Sequence, residues 1–131
     1  MSRTLASIVV GLIAWGVIVT LLNFGLRAAI PGYHAAEATL QFTMAMKIGR
    51  LTEAALTSLA AGTIVSLVNP PKKWAAWAVG LVVLALFLPV HVELWDNFPV
   101  WYHLAFLVPL APLVALGASL VPKLQDKRVR A

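Results

Sequence analysis

The chain has 131 residues, of which 61% are hydrophobic and 11% charged, with a formal net charge of +5 and no cysteine. Soluble domains are roughly 45–50% apolar and about 25% charged, so a single soluble domain hiding this apolar surface in its own core is excluded, and lipid is the expected solvent. The missing cysteine excludes disulfides, thiolate catalysis and Cys-based zinc or iron–sulfur sites; the basic balance fits lysines and arginines at membrane edges better than nucleic-acid binding.

Met1–Thr4 is a short polar start carrying Arg3, and Leu5–Leu26 follows without a charge. That run is long enough for a hydrocarbon core that needs roughly 20 residues, and longer than the apolar region of about 7–15 residues in a signal peptide. It predicts a retained first span. Trp15 falls near its middle and reads as a packing residue, while Thr20 and Asn23 read as groups that bond across helices.

Arg27-Ala-Ala-Ile-Pro-Gly-Tyr-His34 then breaks the helix, because Pro-Gly marks a turn. From Ala35 the apolar residues Leu40, Met44, Ile48, Leu51, Ala55 and Leu59 recur at three- and four-residue steps, with Thr43, Lys47, Arg50 and Thr57 on another face. The spacing predicts one long second helix, from about Ala36 to Val68, whose first third is an amphipathic extension outside the membrane. Its spanning part, residues 47–68, carries Ala54, Ser58, Gly62 and Ser66 four apart. A small-xxx-small row of this kind lets a second helix approach closely, in the same chain or in another copy.

Asn69-Pro-Pro-Lys-Lys-Trp74 predicts a loop, since two prolines stop the helix and two lysines stay in water. The third span is expected at residues 74–91 and the fourth at residues 100–121, the latter kinked by Pro109 and Pro112. A basic tail follows from Pro122. The sequence thus reads as one all-α, integral membrane domain, with four transmembrane helices over residues 5–26, 47–68, 74–91 and 100–121.

Orientation follows from the basic residues. Arg3, Lys72, Lys73, Lys123, Lys127, Arg128 and Arg130 fall on the side of the termini; Arg27, Lys47 and Arg50 fall on the other. The excess predicts cytoplasmic termini, so that in a bacterial inner membrane the polar turn faces the periplasm. Counting about 1.5 Å per residue from the inner edge places Arg50, Glu53, His91, Glu93 and His103 in one outer polar layer, with His34 and Glu37 on the same side. Within it, Arg50 and Glu53 stand three apart and are expected to pair. A wider expectation is that Arg50 or Lys47 pairs with Glu93, Asp96 or Glu53 beneath a Trp95–Trp101 lid.

Imidazole and carboxylate suit zinc, and Met44 and Met46 are soft donors for copper, so His91, Glu93 and His103 form a candidate metal set. Haem ligation by His91 and His103 is a further alternative. Neither has diagnostic spacing, and no cofactor is predicted. Trp95, Trp101, Tyr102 and Tyr33 read as an outer aromatic belt, Trp74 and Trp77 as an inner one. No nucleophile–base order, phosphate loop or catalytic carboxylate pair occurs, so no catalytic residue is assigned.

Phe98-Pro-Val-Trp-Tyr-His-Leu-Ala-Phe-Leu107, with Leu26-Arg27 and Pro31, resembles small four-helix inner-membrane proteins of bacteria whose function is uncharacterised. That resemblance implies a fold and lends no activity. The first span lacks the acid of four-helix multidrug transporters. Two functions remain in view. The leading one is a non-enzymatic accessory or assembly subunit working through helix packing, as a homo-oligomer or in a larger membrane complex. The alternative is a small transporter or periplasm-facing binder of a metal or small ligand at the outer His/Glu/Arg cluster.

Overall fold

The computed structural model describes residues 3–68 and 73–130. Six α-helices carry them: α1 (Arg3–Ala29), α2 (Tyr33–Thr39), α3 (Met44–Val68), α4 (Lys73–Glu93), α5 (Val100–Leu107) and α6 (Leu110–Arg130), with a 3₁₀ turn at Trp95–Asn97. There is no strand among the described residues. Four segments are long and apolar enough to cross a membrane: Arg3–Ala29, Met44–Val68, Trp74–Glu93 and Val100–Val121. The expected loop at Asn69–Trp74 lies mostly outside the described residues.

α1 shows why these helices want an apolar surround. Ser7, Gly11 and Trp15, four apart, are buried, whereas Leu5, Val9, Ile13, Val17 and Leu21, also four apart, are exposed. One stripe therefore packs inward, and the opposite stripe presents branched aliphatic side chains outward. Such a continuous apolar face is compatible with lipid contact in a multi-pass protein.

Inside, α3 packs most extensively on α6, and then on α1. The core is built from small and medium side chains: Ala61, Val65, Ala75, Ala76, Val79, Val83, Leu110, Val114 and Ala118, with Trp15. Ala54, Ser58, Gly62 and Ser66 are all buried along one face of α3. A Cβ on Gly62 would overlap the carbonyl oxygen of Val114 and stand 2.9 Å from the Ala118 nitrogen. Gly117 of α6 is held as closely against the Leu59 carbonyl. The small-residue row is thus packed inside one chain, with Gly62 at the seam with α6 and Ser58 against Trp15 of α1.

The single long second helix expected from Ala36 is corrected to two. Leu40 adopts a left-handed conformation (φ 59°) and ends α2, and residues 41–43 are not helical. Phe42 is buried against Tyr33, Ala36, Met46, Phe98 and Tyr102, and Thr43 opens α3, its hydroxyl accepting from the Met46 amide at 3.2 Å. Burying Phe42 and capping at Thr43 together outweigh the continuous helical spacing. α2 is reached through a tight turn in which the Tyr33 amide donates to the Ile30 carbonyl at 3.2 Å. Pro31 and Gly32 occupy its centre, with Gly32 at φ 80°, ψ 0°, the left-handed corner that a type II turn requires.

Pro109 separates α5 from α6, as its missing amide dictates, whereas Pro112 lies in the first turn of α6, where no amide partner is lost. α6 continues through the expected basic tail to Arg130. Connectivity puts the ends of α1, α4 and α5 that face α2 at one pole of the bundle, the polar end.

Candidate functional site

The polar end holds two linked networks and a chamber. The first network centres on Arg50, one and a half turns into α3. Its Nε donates to the Tyr102 hydroxyl at 3.0 Å and its Nη1 to the Tyr33 hydroxyl at 2.9 Å, while the guanidinium lies 4.7 Å from the Phe42 ring centroid. The Tyr33 hydroxyl in turn donates to Asn23 Oδ1 at 3.1 Å, and Asn23 Nδ2 donates to Glu37 at 3.3 Å. Arg27 closes on Glu37 through two bonds, of 2.7 and 3.1 Å. The chain of bonds ties α1, α2, α3 and α5 together.

Two groups of this network have shifted proton affinities for clear reasons. The bonded Arg27 guanidinium holds the Glu37 carboxyl below the usual glutamate range, with partial burial opposing it. Burial pushes the Tyr33 phenol up, against the nearby Arg50 charge. Tyr33 therefore keeps the proton that it donates to Asn23.

Tyr33 and Tyr102 are only 0% and 2% exposed, which corrects their assignment to an aromatic belt: an arginine holds both hydroxyls inside. Trp95, Trp101, Trp74 and Trp77 are exposed, as belt residues would be. The expected ion pairs are corrected as well. Among the described residues, the ion pairs within 4.0 Å are Arg27–Glu37 and a weaker His34–Glu37 contact at 3.9 Å. Arg50 and Lys47 therefore do not pair with Glu53, Glu93 or Asp96. Arg50 is turned toward the two tyrosines instead, and Glu93 and Asp96 are exposed.

The second network joins α4 to α5. His91 Nδ1 and His103 Nδ1 are 2.7 Å apart, and His103 Nε2 is 3.1 Å from the Trp95 carbonyl oxygen. A carbonyl only accepts, so His103 Nε2 carries a hydrogen; in the neutral ring Nδ1 is then the acceptor, and His91 Nδ1–H is the donor. The Trp95 indole stacks on the His103 ring at 4.5 Å and 8°. Tetrahedral zinc with Zn–N bonds of ~2.0–2.1 Å holds its nitrogens about 3.3 Å apart, so the two Nδ1 atoms are placed for each other rather than for an ion between them. No group of three or more His, Cys, Asp or Glu able to hold a metal occurs among the described residues. His91, Glu93 and His103 are thus not gathered into a ligand set. Met46 is in the core, and Met44 is exposed.

Between α1, α3, α4 and α5 lies a chamber of about 340 Å³. Arg27, Glu37, Asn23, Arg50 and Glu53 line its polar part. Trp15, Val19, Phe87 and Phe106 line its apolar part, with Phe87 5.2 Å from Trp15 and 5.1 Å from Phe106 between ring centroids. Trp15 is fixed by its indole N–H, which donates to Ser58 at 3.2 Å. Thr20 and Phe24 line the chamber and are also exposed, so it opens along α1. From Trp15 to Arg27 the helix climbs ~18 Å.

Glu53 is the unusual member. It is 6% exposed, and its Oε1 is buried without a hydrogen-bond partner. It stands about 13.5 Å along α3 from Met44. Thr57 Oγ1, one turn further, is also buried and unpartnered. Spacing alone marked Glu53 as half of a pair with Arg50. Asn23 bonds across to α2 as expected, whereas Thr20 donates to the Gly16 carbonyl of its own helix; the missed members are Tyr33, Tyr102, Arg27 and Glu37. The signal for the last pair was available, since a base ending one helix and an acid in the next flank a tight Pro-Gly turn.

The chain was compared with protein-family models, with curated proteins and with solved structures, and none of them matches.

Proposed function

We propose that this protein spans the bacterial inner membrane four times, with both termini in the cytoplasm, and binds a small ligand in the chamber at the periplasmic half of the bundle. The observation that carries the reading is Glu53: a carboxylate almost fully buried, with an oxygen lacking any partner, on the wall of a 340 Å³ chamber. A buried, unpaired polar oxygen costs roughly 1–3 kcal/mol or more. Ionisable groups within spanning segments are otherwise found paired or lining functional cavities. The volume lies within the ~300–1,000 Å³ of small-molecule sites.

The accessory-subunit reading draws less support. Its best device, the Ala54–Ser58–Gly62–Ser66 row, is buried within the same chain, with Gly62 against α6 and Ser58 bonded to Trp15 of α1, and is not free for a partner helix. The outer-cluster reading keeps Arg50 and Glu53 in the chamber, while His91 and His103 join α4 to α5.

Native mass spectrometry of the full chain in mild detergent tests this. A stoichiometric small-molecule adduct is expected, and it should be lost in Val19→Phe, whose larger side chain fills the chamber from the α1 wall. A stoichiometric protein partner with no adduct would favour the accessory role. Reporter fusions at residue 131 and within residues 70–73 should both read cytoplasmic; a periplasmic signal at Ala131 reverses the orientation.

A further inference from the structure

Arg50 and Glu53 are three apart on α3, the spacing at which a guanidinium and a carboxylate on one helix ordinarily meet. Both line the chamber, yet they do not come within 4.0 Å of each other. Tyr33, Tyr102 and Phe42 hold the guanidinium toward α2 and α5 instead. Two of its five N–H donors are used there, and three remain. Glu53, 6% exposed, keeps an oxygen without a partner. A cation with spare donors and a carboxyl group with an open oxygen therefore border one cavity, about 4.5 Å apart along the helix.

The other charged pair on the wall, Arg27–Glu37, is closed on itself through two hydrogen bonds. With both carboxylates ionised, the four charges sum to zero. A ligand of net charge would leave that charge uncompensated in a weakly solvated site, which is costly. A ligand carrying both signs would leave none. Below the charges, Trp15, Phe87 and Phe106 offer an apolar aromatic floor.

We infer that the chamber takes a small zwitterion with an apolar side group. Its ammonium sits on Glu53, its carboxylate on Arg50 and its side group on the aromatic floor, the chemistry of a hydrophobic α-amino acid. This rests on the chamber being a ligand site, as proposed above.

The test titrates the detergent-purified full chain with L-phenylalanine and L-leucine, beside phenethylamine, which keeps only the ammonium, and 3-phenylpropionate, which keeps only the carboxylate. Calorimetry and thermal shift are the readouts. The amino acids should bind saturably, the two half-ligands at least about tenfold more weakly. Glu53→Gln, which preserves shape, should reduce amino-acid affinity by at least about tenfold while the protein still folds. Val19→Phe should abolish binding without touching either charge. Equal binding by phenethylamine or 3-phenylpropionate, or an unchanged Glu53→Gln, overturns the zwitterion. If all four probes are silent while an adduct of other chemistry is retained on purification, the zwitterion is overturned and the ligand site stands. Silence with no adduct overturns both.

Discussion

Substituting Gly62 by alanine adds one carbon, and the structure fixes where that carbon goes. It would overlap the Val114 carbonyl oxygen and press on the Ala118 nitrogen at 2.9 Å. Both neighbours are α6 backbone, so no side chain can rotate away, and α3 and α6 must separate by on the order of 1 Å. A gap of ~0.5–1 Å forfeits about a quarter to a half of the dispersion well for the atoms concerned, along the most extensive helix contact in the molecule. Overpacking of this kind costs ~1–3 kcal/mol, and the better helix propensity of alanine returns about 1 kcal/mol. The expected net effect is a loss of about 0–2 kcal/mol relative to the parent, and about 1–3 kcal/mol relative to an alanine placed at an open helix position, rising with Gly62→Leu. Gly16→Ala is the matched control, because a Cβ there meets nothing within 4 Å, so it should be neutral or stabilising. Reversible unfolding in mixed micelles, followed by tryptophan fluorescence, measures both variants. A Gly62→Ala protein as stable as the Gly16→Ala control would show that the close α3–α6 approach is wrong.

Truncating Arg50 should be costly and independent of Glu93. Hydrogen bonds to charged groups contribute ~1.5–3 kcal/mol each, so Arg50→Ala should destabilise by at least that amount. Tyr102→Phe should couple to it in a double-mutant cycle, while Glu93→Ala should add within about 0.5 kcal/mol; coupling to Glu93 would restore the ion pair that the structure lacks. The Arg27–Glu37 pair predicts an acid dependence. Because the folded-state value of Glu37 is depressed, its stabilisation is present above the ordinary glutamate value near 4.3 and is lost as pH falls through the depressed one. The pair is partly exposed, so the difference between parent and Glu37→Gln should be only ~0–1 kcal/mol at pH 7, and it should vanish in acid; a difference that grows as pH falls would refute the assignment.

The four spanning segments were legible because length and apolarity are local properties: Leu5–Leu26 needs no partner to be recognised. The seam was legible for a similar reason, since four small residues at a spacing of four define a helix face. The break after Leu40 was not, because the apolar spacing through Leu40, Met44 and Ile48 runs on unbroken. What interrupts it is the burial of Phe42 against Phe98, more than fifty residues away in sequence. The same distance hid the site. Arg50 meets Tyr102 across 52 positions, so the composition of the turn suggested a belt of exposed aromatics. Depth counting placed Glu53 near the edge of the bundle but could not see that its natural partner is held elsewhere. The direction of a guanidinium depends on tertiary neighbours, and no local spacing records it.

The contact of His91 with His103 has a consequence for the twelve-residue excursion that it closes. In a chain without cysteine, two imidazoles at 2.7 Å fasten the end of α4 to the start of α5, much as a crosslink would. Pinning the ends of such a loop in an otherwise free chain corresponds to an entropy term on the order of 2 kcal/mol. Unlike a covalent bridge, this fastening is reversible. The Trp95 turn is therefore clasped by a latch that opens and closes without an oxidant or an enzyme.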